Sequence, residues 1–365
     1  MTTEPQAQYR PYGRLNGARY ELEQTGEDTV NVAILGAGSI ANTMAKTLVA
    51  MASPSTRYSH LIHPYAVAAR DFDRAEAFRA KYGFDKAYGS YEELVEDPLV
   101  DLVYIATPHN FHAEQAILCL SHGKNVLVEK AFTANVKQAR DVFAAAGKTD
   151  GLLVTEAIWT RYQPSRQIIN DLISSGELGD IRMVRADLSY EPHGRDRITN
   201  PALAGGALLD VGVYALNFID MAVGADHGRS ITSMQTTMTP YDTGVDATNA
   251  TILTYDDGLM AVATSSRAVA SDRSGVIEGN KGYAVVDNIN NPLGIDVYGL
   301  DHELVRHIRV PGQLTGYEYE VAAAANAILD GHTECPAMPH ADTLRIMSLM
   351  DEIRAAWGLK YPFEE

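Results

Sequence analysis

Residues 30–41 have the sequence VNVAILGAGSIA and carry the first clear structural signal in the chain. The run Val30–Leu35 is too apolar to leave one face in water, which is typical of a parallel strand covered on both sides. Beyond the glycines, Ile40, Met44 and Leu48 recur at helical spacing, so a helix follows at once. The stretch therefore predicts a strand, a glycine turn and a helix in that order.

The turn has the pattern Gly-x-Gly-x-x-Ala, formed by Gly36, Gly38 and Ala41. In this setting the first glycine permits a tight turn, the second lets a phosphate approach the backbone, and the small third residue packs the helix on the strand. The amides of Ser39 and Ile40 at the start of the helix favour a pyrophosphate. We interpret the motif as a dinucleotide-binding turn; the alternative is a glycine turn without a ligand.

The alternation of apolar runs and helical patterns continues to about residue 150. The predicted elements are the strand Tyr65–Ala69 with the helix Asp73–Tyr82, the strand Leu102–Ala106 with the helix His112–His122, and a strand at Asn125–Val128. This alternation predicts an α/β fold with a doubly wound parallel sheet, a Rossmann domain over residues 29–150. A polar extension over residues 1–28 precedes it and indicates no role.

After residue 150 the pattern changes to a mixture of helices and successive extended segments. The turn dipeptides Asp257-Gly258 and Lys281-Gly282 predict antiparallel hairpins. We expect an α+β substrate and dimerisation domain with a large, mainly antiparallel sheet over residues 151–339, followed by a C-terminal helix and tail over residues 340–365. The expected strands are Leu152–Glu156, Ile181–Tyr190, Ser230–Met238, Ala247–Tyr255, Leu259–Arg267, Ser274–Gly279, Tyr283–Asp287 and Leu304–Val310, and the expected helices are Ser165–Ser174, Gly206–Ala222, Tyr317–Asp330 and His340–Trp357.

Composition and charge exclude several classes of function. The 365 residues are 46% hydrophobic and 21% charged, which is ordinary globular composition. Their formal net charge of −17 repels phosphate backbones and anionic lipid, so we expect no nucleic-acid and no membrane partner. The two cysteines, Cys119 and Cys335, lie far apart in the chain and neither has a second cysteine nearby, so we expect no metal site. With reduced thiols and no secretory signal, the sequence predicts a cytoplasmic protein.

The end of the second strand bears on the choice of cofactor. An acidic residue at this place would bind the ribose of NAD, whereas Arg70, with Arg74 one helical turn later, can pair with the extra phosphate of NADP. Asp71 complicates this choice, although its side chain could cap the next helix instead. We therefore favour NADP over NAD; the alternative is a solvated surface arginine.

Polar residues follow two further predicted parallel strands at the edge where open α/β sheets bind ligands. They are Thr107, Pro108, His109, Asn110 and His112 after one strand, and Glu129 and Lys130 after the next. Lys130 facing a cofactor could polarise a substrate oxygen, or it could be an ordinary surface lysine. We predict that these residues contribute to cofactor binding.

Asp210 and Tyr214 form a second candidate pair. They are four residues apart on one face of a predicted helix, within an otherwise apolar run. An unpartnered carboxylate there would be costly, so Asp210 requires partners. A structural pair, with Asp210 bonded to backbone and Tyr214 in the core, is an equally open interpretation.

These motifs resemble the family of glucose-fructose oxidoreductases and inositol dehydrogenases, known as Gfo/Idh/MocA. The family has a Gly-x-Gly-x-x-Ala turn, a Glu-Lys-Pro motif and a helix with the pattern Gly-Gly-Gly-x-x-x-Asp-x-Gly-x-His. This chain has Gly36–Ala41, Glu129-Lys130-Ala131, and Ala204-Gly205-Gly206 leading to Asp210, Gly212 and Tyr214. The segments Ala68–Asp71, Ala87–Leu94, Glu156–Arg161 and Gly206–Tyr214 are similar to the branch of dihydrodiol dehydrogenases and NADP-dependent D-xylose dehydrogenases.

The resemblance implies an NADP-dependent dehydrogenase that transfers a hydride between the nicotinamide and a sugar or vicinal-diol CH–OH group. It implies Tyr214, Lys130 and Asp210 as catalytic residues, with Tyr214 in place of the family's usual histidine. It also implies that Trp159 and Arg161 contact the nicotinamide or a phosphate, a position in the core or at the surface being the alternative. Ala131 replaces the motif's proline, which loosens the backbone at Lys130.

In the mechanism we infer for oxidation, Tyr214 accepts the hydroxyl proton, Lys130 holds the substrate oxygen, and Asp210 orients the substrate or Lys130. A nearby lysine cation would lower the tyrosine pKa by favouring the phenolate. The alternatives are the reverse reaction, reduction of a ketosugar or dicarbonyl, and a non-catalytic NADP-binding sensor.

The second sheet bears on assembly. Family members pair through this sheet, and the alternation in the segments 252–255 and 261–264 is compatible with an apolar outer face. We therefore expect a homodimer or higher homo-oligomer that forms through the C-terminal sheet.

Overall fold

The computed structural model describes residues 29–149, 151–191 and 196–364, together with a short antiparallel pair, β1 (Arg14–Leu15) and β2 (Ala18–Arg19). Apart from that pair, the predicted polar extension over residues 1–28 lies outside the described residues. The rest of the described chain is built around two sheets.

The first sheet has six strands, and every neighbouring pair is parallel. The strands are β3 (Val30–Leu35), β4 (Ile62–Ala68), β5 (Lys86–Tyr88), β6 (Leu102–Ile105), β7 (Asn125–Glu129) and β8 (Val154–Ala157), in the spatial order β5-β4-β3-β6-β7-β8. The helices between them are α1 (Ser39–Met51), α2 (Phe72–Tyr82), α3 (Tyr91–Glu96), α4 (His109–Ser121) and α5 (Val136–Ala146). From β3 the chain winds first to one side and then to the other, so the predicted doubly wound parallel sheet is confirmed.

The central strand β3 shows why this sequence forms such a sheet. All of its residues except Asn31 are buried, because β4 and β6 flank it and apolar helix faces cover it. The side chains of Met44 and Leu48 on α1 are fully buried in the same core. The direction of winding changes between β3 and β6, and such a switch point leaves a ligand crevice at the carboxyl ends of the strands.

The second sheet has eight strands in the order β10-β11-β12-β9-β13-β14-β15-β16, and all neighbouring pairs are antiparallel except the parallel pair β9–β12. The strands are β9 (Ile181–Ser189), β10 (Ile231–Pro240), β11 (Asp246–Tyr255), β12 (Met260–Ser266), β13 (Gly275–Gly279), β14 (Gly282–Val286), β15 (Gly294–Gly299) and β16 (Leu304–Arg309). The helices are α6 (Pro164–Ser174), α7 (Asp196–Thr199), α8 (Val213–Val223), α9 (Glu318–Leu329) and α10 (His340–Trp357), with a π-helical turn at Leu208–Gly212 and 3-10 turns at Trp159–Arg161, Pro201–Leu203 and Ala225–His227. The predicted large, mainly antiparallel sheet is confirmed.

The two turn dipeptides join antiparallel strands as predicted, β11 to β12 and β13 to β14. The sequence prediction missed strand β15, whose pattern is weak because glycines end it and only Ile295 and Val297 bring large apolar side chains to the core. It also missed α3, α5 and the edge strand β5, which are short or carry many polar residues.

One face of the second sheet is covered by α8, which is buried along its whole length and packs on β9 and β12. The segment Pro201–Val223 is apolar and long enough to cross a membrane by length and composition, but 89% of its most apolar window is buried inside the protein. This segment is therefore a core helix of the folded chain.

The domain boundary predicted at residue 150 lies too early. Strand β8 pairs in parallel with β7, so the first sheet continues to Ala157. The C-terminal helices also contact both halves of the chain, since α9 packs against α1 and β7, and α10 packs against α5, α8 and β10. Such contacts between segments remote in the chain have no local sequence signal.

Candidate active site

A cleft of about 660 Å³ opens where the carboxyl ends of β6 and β7 face the second domain. The predicted site residues that line it are Gly38, Ser39, Ile40, Thr107, Pro108, His109, Glu129, Lys130, Asp210 and Tyr214. The predicted residues that lie outside its lining are Gly36, Arg70, Arg74, Asn110, His112, Trp159 and Arg161.

The glycine turn forms one end of the cleft. Gly36 has φ +104°, and a Cβ at this position would lie 3.1 Å from the carbonyl oxygen of Ala106, so the backbone here requires glycine. Gly38 is the N-cap of α1 and has no side chain that could cap the helix. The N–H groups of the first turn are therefore available to an anion, as the pyrophosphate of a dinucleotide requires.

The two arginines predicted to select NADP follow β4, Arg70 in the connection to α2 and Arg74 in the first turn of α2. Arg70 is exposed, and Arg74 donates from Nη2 to the carbonyl oxygen of Ala37 at 2.7 Å, which ties α2 to the glycine turn. Asp71 accepts a hydrogen bond from the backbone N–H of Arg74 at 3.2 Å and is the N-cap of α2. Its carboxylate therefore caps α2, as the sequence analysis considered, instead of being free to bind a ribose.

The loop after β6 contributes Thr107, Pro108 and His109 to the cleft. His109 Nδ1 lies 3.1 Å from the carbonyl oxygen of Ala204. Since a carbonyl only accepts, Nδ1 carries the proton and Nε2 is left as an acceptor in the neutral ring. Burial, together with the nearby cations, lowers the pKa of His109 to about 3, so the ring is neutral at physiological pH.

His112 lies beneath this loop instead of facing the cleft. Its ring is fully buried, with Nε2 2.8 Å from the carbonyl oxygen of Thr107 and Nδ1 3.0 Å from that of Ala131. It therefore links the loop after β6 to the loop after β7. Asn110, half-buried at the start of α4, also lies outside the lining. The side chains of His112 and Asn110 therefore do not face the cleft in which we expected them to contact the cofactor.

The structure brings Lys130, Asp210 and Tyr214 together in the cleft, although 80 residues separate Lys130 from Asp210 in the chain. Lys130 Nζ donates to the backbone carbonyl oxygen of Asp210 at 2.6 Å and lies 3.4 Å from Asp210 Oδ1. The same nitrogen is 5.1 Å from the centroid of the Tyr214 ring. These contacts hold Lys130 in place despite the alanine that follows it.

Asp210 is the carboxylate around which the cations of the site gather. Arg197 Nη1 lies 2.9 Å from its Oδ1, and Arg267 Nε lies 3.1 Å from its Oδ2. Burial alone would raise the pKa of Asp210, but Lys130, Arg197 and Arg267 together hold it well below its usual range. Asp210 is therefore ionised and keeps the Lys130 ammonium oriented.

The turn that carries Asp210 is held by a second buried acid that the sequence analysis did not identify. Asp246, at the start of β11, accepts a hydrogen bond from the backbone N–H of Leu208 at 2.7 Å and another from Asn249 at 2.7 Å. Gly206 precedes this turn with φ +118°, where a Cβ would lie 2.1 Å from Asp246 Oδ1. The turn Leu208–Gly212 is π-helical, a local widening that is frequent at functional sites.

The predicted lowering of the Tyr214 pKa is wrong. Burial raises the pKa of Tyr214 well above its ordinary value, and the nearby Tyr317, Glu129 and Glu320 raise it further. Lys130 does not offset this, because its ammonium lies over the ring face and is bonded to Asp210. The free enzyme therefore holds Tyr214 as a phenol at neutral pH.

Glu129 supports Lys130 from below. Its Oε2 accepts a hydrogen bond from the backbone N–H of Lys130 at 3.1 Å, and its Oε1 accepts one from the hydroxyl of Tyr104. Burial raises the pKa of Glu129. The acid that precedes the lysine therefore positions the lysine backbone.

Trp159 and Arg161 do not line the cleft, which corrects the prediction that they contact the cofactor. The Trp159 ring stacks on Tyr317 at a centroid distance of 4.1 Å, and its Nε1 donates to Asn290 at 2.9 Å. Tyr317 and Asn290 line the cleft, so Trp159 supports the wall from behind.

Arg161 lies in a buried ionic cluster. It is 1% exposed and pairs with Asp220 at 2.6 Å and with Asp342 at 2.7 Å, while its Nε donates to Asn217. These partners are 59 and 181 residues away in the chain, so no local pattern indicated this role.

We expect Arg161→Met to destabilise the protein by about 3 kcal/mol, because the buried carboxylates of Asp220 and Asp342 lose the fully buried cation between them and keep the partly exposed Arg345. The measurement is urea unfolding, with Arg182→Met as the control, since Arg182 has a side chain 63% exposed in its pair with Asp180. Unchanged stability combined with weakened cofactor binding would restore the original cofactor assignment for Arg161.

The sequence analysis did not identify most of the cleft wall from the second domain. The structure adds six residues to this wall: Tyr190, Arg267, Ser271, Arg273, Asn290 and Tyr317. These residues lie at strand ends or in loops, where neither periodicity nor spacing indicates which side chains face a ligand.

Together, the dinucleotide turn and the polar group at the opposite wall define an oxidoreductase that uses a nicotinamide dinucleotide. Two family models match the chain: the oxidoreductase family with an NAD-binding Rossmann fold over residues 30–157, and the GFO/IDH/MocA C-terminal domain over residues 167–285. The chain belongs to the GFO/IDH/MocA family, and the expectation of a nicotinamide-dependent dehydrogenase is confirmed.

Among curated relatives, the trans-1,2-dihydrobenzene-1,2-diol dehydrogenase of Mus musculus is 33% identical over 90% of this chain and 97% of the relative. The Bos taurus protein of the same name is 36% identical over 81% of this chain and 89% of the relative. Among solved structures, a 3-ketoreductase from Actinomadura kijaniata, in complex with NADP and TDP-benzene, has a TM-score of 0.79 at 27% identity and covers 90% of this chain and 98% of its own. A levoglucosan dehydrogenase in complex with NADH and L-sorbose shares the fold, with a TM-score of 0.80 at 18% identity over 92% of this chain and 99% of its own.

Proposed function

We propose that the protein is an NADP-dependent dehydrogenase that transfers a hydride between the nicotinamide and a CH–OH group of a sugar or vicinal diol. The observation that carries this proposal is the group formed by Lys130, Asp210 and Tyr214 in the cleft that begins at the dinucleotide turn. The names of the curated relatives and of the 3-ketoreductase support the same chemistry. The nicotinamide, when bound, supplies the hydride acceptor or donor.

Each of the three residues has a distinct role in the proposed reaction. Lys130 donates a hydrogen bond from its ammonium to the substrate oxygen and stabilises the negative charge that develops there. Asp210 holds that ammonium and has no proton to exchange, because the surrounding cations keep it ionised. Tyr214 exchanges the hydroxyl proton as acid or base.

The protonation of Tyr214 bears on the direction of the reaction. A phenol with a raised pKa keeps its proton at neutral pH and is ready to donate it to a carbonyl oxygen. This observation favours a second candidate function, the reduction of a ketosugar or dicarbonyl with NADPH. The oxidative rate should rise towards alkaline pH, whereas the reductive rate should not.

The test of the proposal is a substrate panel of aldoses, ketosugars and diols, followed by the absorbance of the reduced nicotinamide in both directions. Turnover of at least one member that depends on NADP or NADPH is the expected result. Tight binding of NADP without turnover of any member would favour the third possibility, a non-catalytic sensor.

The choice of NADP is supported by Arg70, which follows β4, by Arg74 in the first turn of α2, and by the engagement of Asp71 in capping α2. We expect Arg70→Asp to shift the ratio of NADP to NAD affinities by about tenfold or more towards NAD, because it removes a phosphate partner and supplies a ribose acceptor. Titration of both cofactors measures the ratio, with Arg140→Asp, an exposed arginine on α5, as the control. If Arg70→Asp and Arg140→Asp have the same ratio of NADP to NAD affinities, Arg70 does not bind the extra phosphate of NADP.

The outer face of the second sheet supports the proposed homo-oligomer. The strand registers place Ile252, Val262, Arg185, Val276 and Val285 in one row across five strands, and each apolar side chain of the row is half-buried. The row faces away from the helices, because the alternate residues of these strands form the buried face. A second copy of the chain that packs on this row would bury it.

We expect Val262→Arg to convert a dimer into a monomer, because it places a second cation beside Arg185 in a row whose other side chains are apolar. Sedimentation velocity at micromolar concentration measures the change. The control is Val49→Arg on α1, where the valine is 42% exposed. A wild-type protein that sediments as a monomer would contradict the proposed assembly.

The two thiols are compatible with the predicted cytoplasmic location. Cys119 and Cys335 are free and buried, and burial raises the pKa of each to about 12. Thiols of this kind are inert and suit a reducing compartment. The location itself stays a prediction.

A further inference from the structure

The second-domain wall of the cleft has more positive charge than the carboxylates of the cleft can neutralise. Four cations line the cleft, Lys130, Arg197, Arg267 and Arg273, in a chain whose formal net charge is −17. Such a local reversal of sign focuses an attractive field on anions. The excess of positive charge therefore indicates that a ligand of this cleft is anionic.

The acids of the lining do not balance these cations. Asp210 is shared by Lys130, Arg197 and Arg267. Glu129 is engaged below Lys130, and its pKa is raised by burial. The remaining lining acid, Glu191, is exposed to solvent. Among the acids of the lining, none that is buried is therefore left without a partner to pair with Arg273.

Arg273 occupies a specific place in the wall. Its backbone has φ +62°, the left-handed region that non-glycine residues rarely adopt, and its carbonyl oxygen accepts a hydrogen bond from the backbone N–H of Ile289 at 2.9 Å. Within residues 29–149, 151–191 and 196–364, no carboxylate forms an ion pair with its guanidinium. The side chain is half-buried in the cleft and is therefore partly removed from water.

Arg267 and Arg273 also converge on one aromatic ring. Their guanidinium carbons lie 5.9 Å and 5.5 Å from the centroid of Tyr190. A tyrosine ring attracts both cations, so the two guanidinium groups lie on the same part of the cleft wall. Guanidinium groups bind carboxylates and phosphates through paired N–H donors, so two of them near one ring suit an anionic group.

The glycine turn offers the dinucleotide a separate anion site, in the first domain. The uncapped first turn of α1 belongs to the first domain, whereas Arg267 and Arg273 flank the loop between β12 and β13 of the second domain. The arginine pair lies on the same wall as Asp210 and therefore on the side from which the substrate would approach Lys130.

We propose that the substrate carries an anionic group, a carboxylate or a phosphate, which Arg267 and Arg273 bind while its CH–OH or carbonyl carbon faces Lys130 and Tyr214. This inference rests on the proposed dehydrogenase function and narrows its substrate class to sugar acids or sugar phosphates.

The test compares three ligands that share one ring: D-glucuronate, D-glucose 6-phosphate and the neutral D-glucose. Their affinities for the complex of the wild-type protein with NADPH are measured by calorimetry, and their turnover with NADP is measured separately. We expect at least one anionic ligand to bind about ten- to hundredfold more tightly than D-glucose. The tighter of the two anionic ligands identifies carboxylate or phosphate as the group recognised.

Arg273→Gln should reduce this anion preference, the ratio of anionic to neutral affinity, by about tenfold or more, and Arg273→Lys should retain part of it. The control Arg182→Gln removes an exposed arginine of the same domain and should leave the preference as in the wild type. A wild-type protein without anion preference, or a preference that survives Arg273→Gln, would overturn the inference. A fall in NADPH affinity in Arg273→Gln without a fall in the preference would also overturn it, because Arg273 would then serve the cofactor.

The two readouts separate this inference from the proposed function. Anion preference in binding without turnover of any ligand would contradict the dehydrogenase and leave an anion site. Turnover of neutral sugars without anion preference would support the dehydrogenase and reject the anion site.

Discussion

Tyr214→Phe is expected to lower kcat by about 10²- to 10⁴-fold, the range associated with loss of one acid–base group. The substitution removes only the hydroxyl and keeps the ring beneath the Lys130 ammonium, 5.1 Å from its centroid. NADP affinity should stay near that of the wild type, because the dinucleotide turn is untouched. Initial rates and a cofactor titration measure the two effects.

The pH profile adds a second readout for Tyr214. Because burial raises the Tyr214 pKa, the wild-type oxidative rate should rise towards alkaline pH, and that dependence should disappear in Tyr214→Phe. The control is Tyr82→Phe, which loses a hydrogen bond to Asn42 at 2.7 Å on the first domain and should keep its activity. A Tyr214→Phe enzyme with wild-type kcat would remove Tyr214 from the mechanism.

Lys130→Met is the second large effect, with an expected loss in kcat of about 10²- to 10³-fold, as for removal of one donor to a developing oxyanion. The methionine keeps most of the side-chain volume but donates no hydrogen bond. Asp210 keeps Arg197 and Arg267 as partners, so the fold should persist. Steady-state kinetics and thermal unfolding distinguish a loss of chemistry from a loss of structure.

The matched control is Lys137→Met on α5, where the lysine side chain is 83% exposed and pairs with Asp141. It should change neither kcat nor stability measurably, since exposed pairs contribute little. Equal activity in both lysine variants would mean that Lys130 only shapes the cleft wall.

The first domain was predictable because its signals are local. The glycine turn, the buried strand before it and the helical spacing after it lie within 30–41, and the structure has β3, the turn and α1 at these positions. The rule that ligands bind at the carboxyl ends of parallel strands then located Lys130 and the loop after β6 at the cleft. In the second domain, strand β15 was missed because its apolar pattern is too short to stand out.

The parts of the site that sequence reasoning missed depend on contacts between remote segments. Arg161 follows a strand and looks available to a ligand, but its partners Asp220 and Asp342 come from α8 and α10. The predicted direction of the Tyr214 pKa shift was wrong for the same reason: burial, together with Tyr317 and Glu129 from other parts of the chain, raises this pKa, and Lys130 is bonded to Asp210. Arg273 has no signal beyond its residue type.

The most direct measurement is isotope transfer from a substrate deuterated at the reacting CH–OH carbon, incubated with the wild-type protein and NADP. We predict that deuterium appears on the nicotinamide ring, at a rate lowered strongly in both Tyr214→Phe and Lys130→Met. If these two variants transfer deuterium as fast as the wild type, or if no sugar or diol delivers any to the ring, the proposed chemistry of the cleft is contradicted.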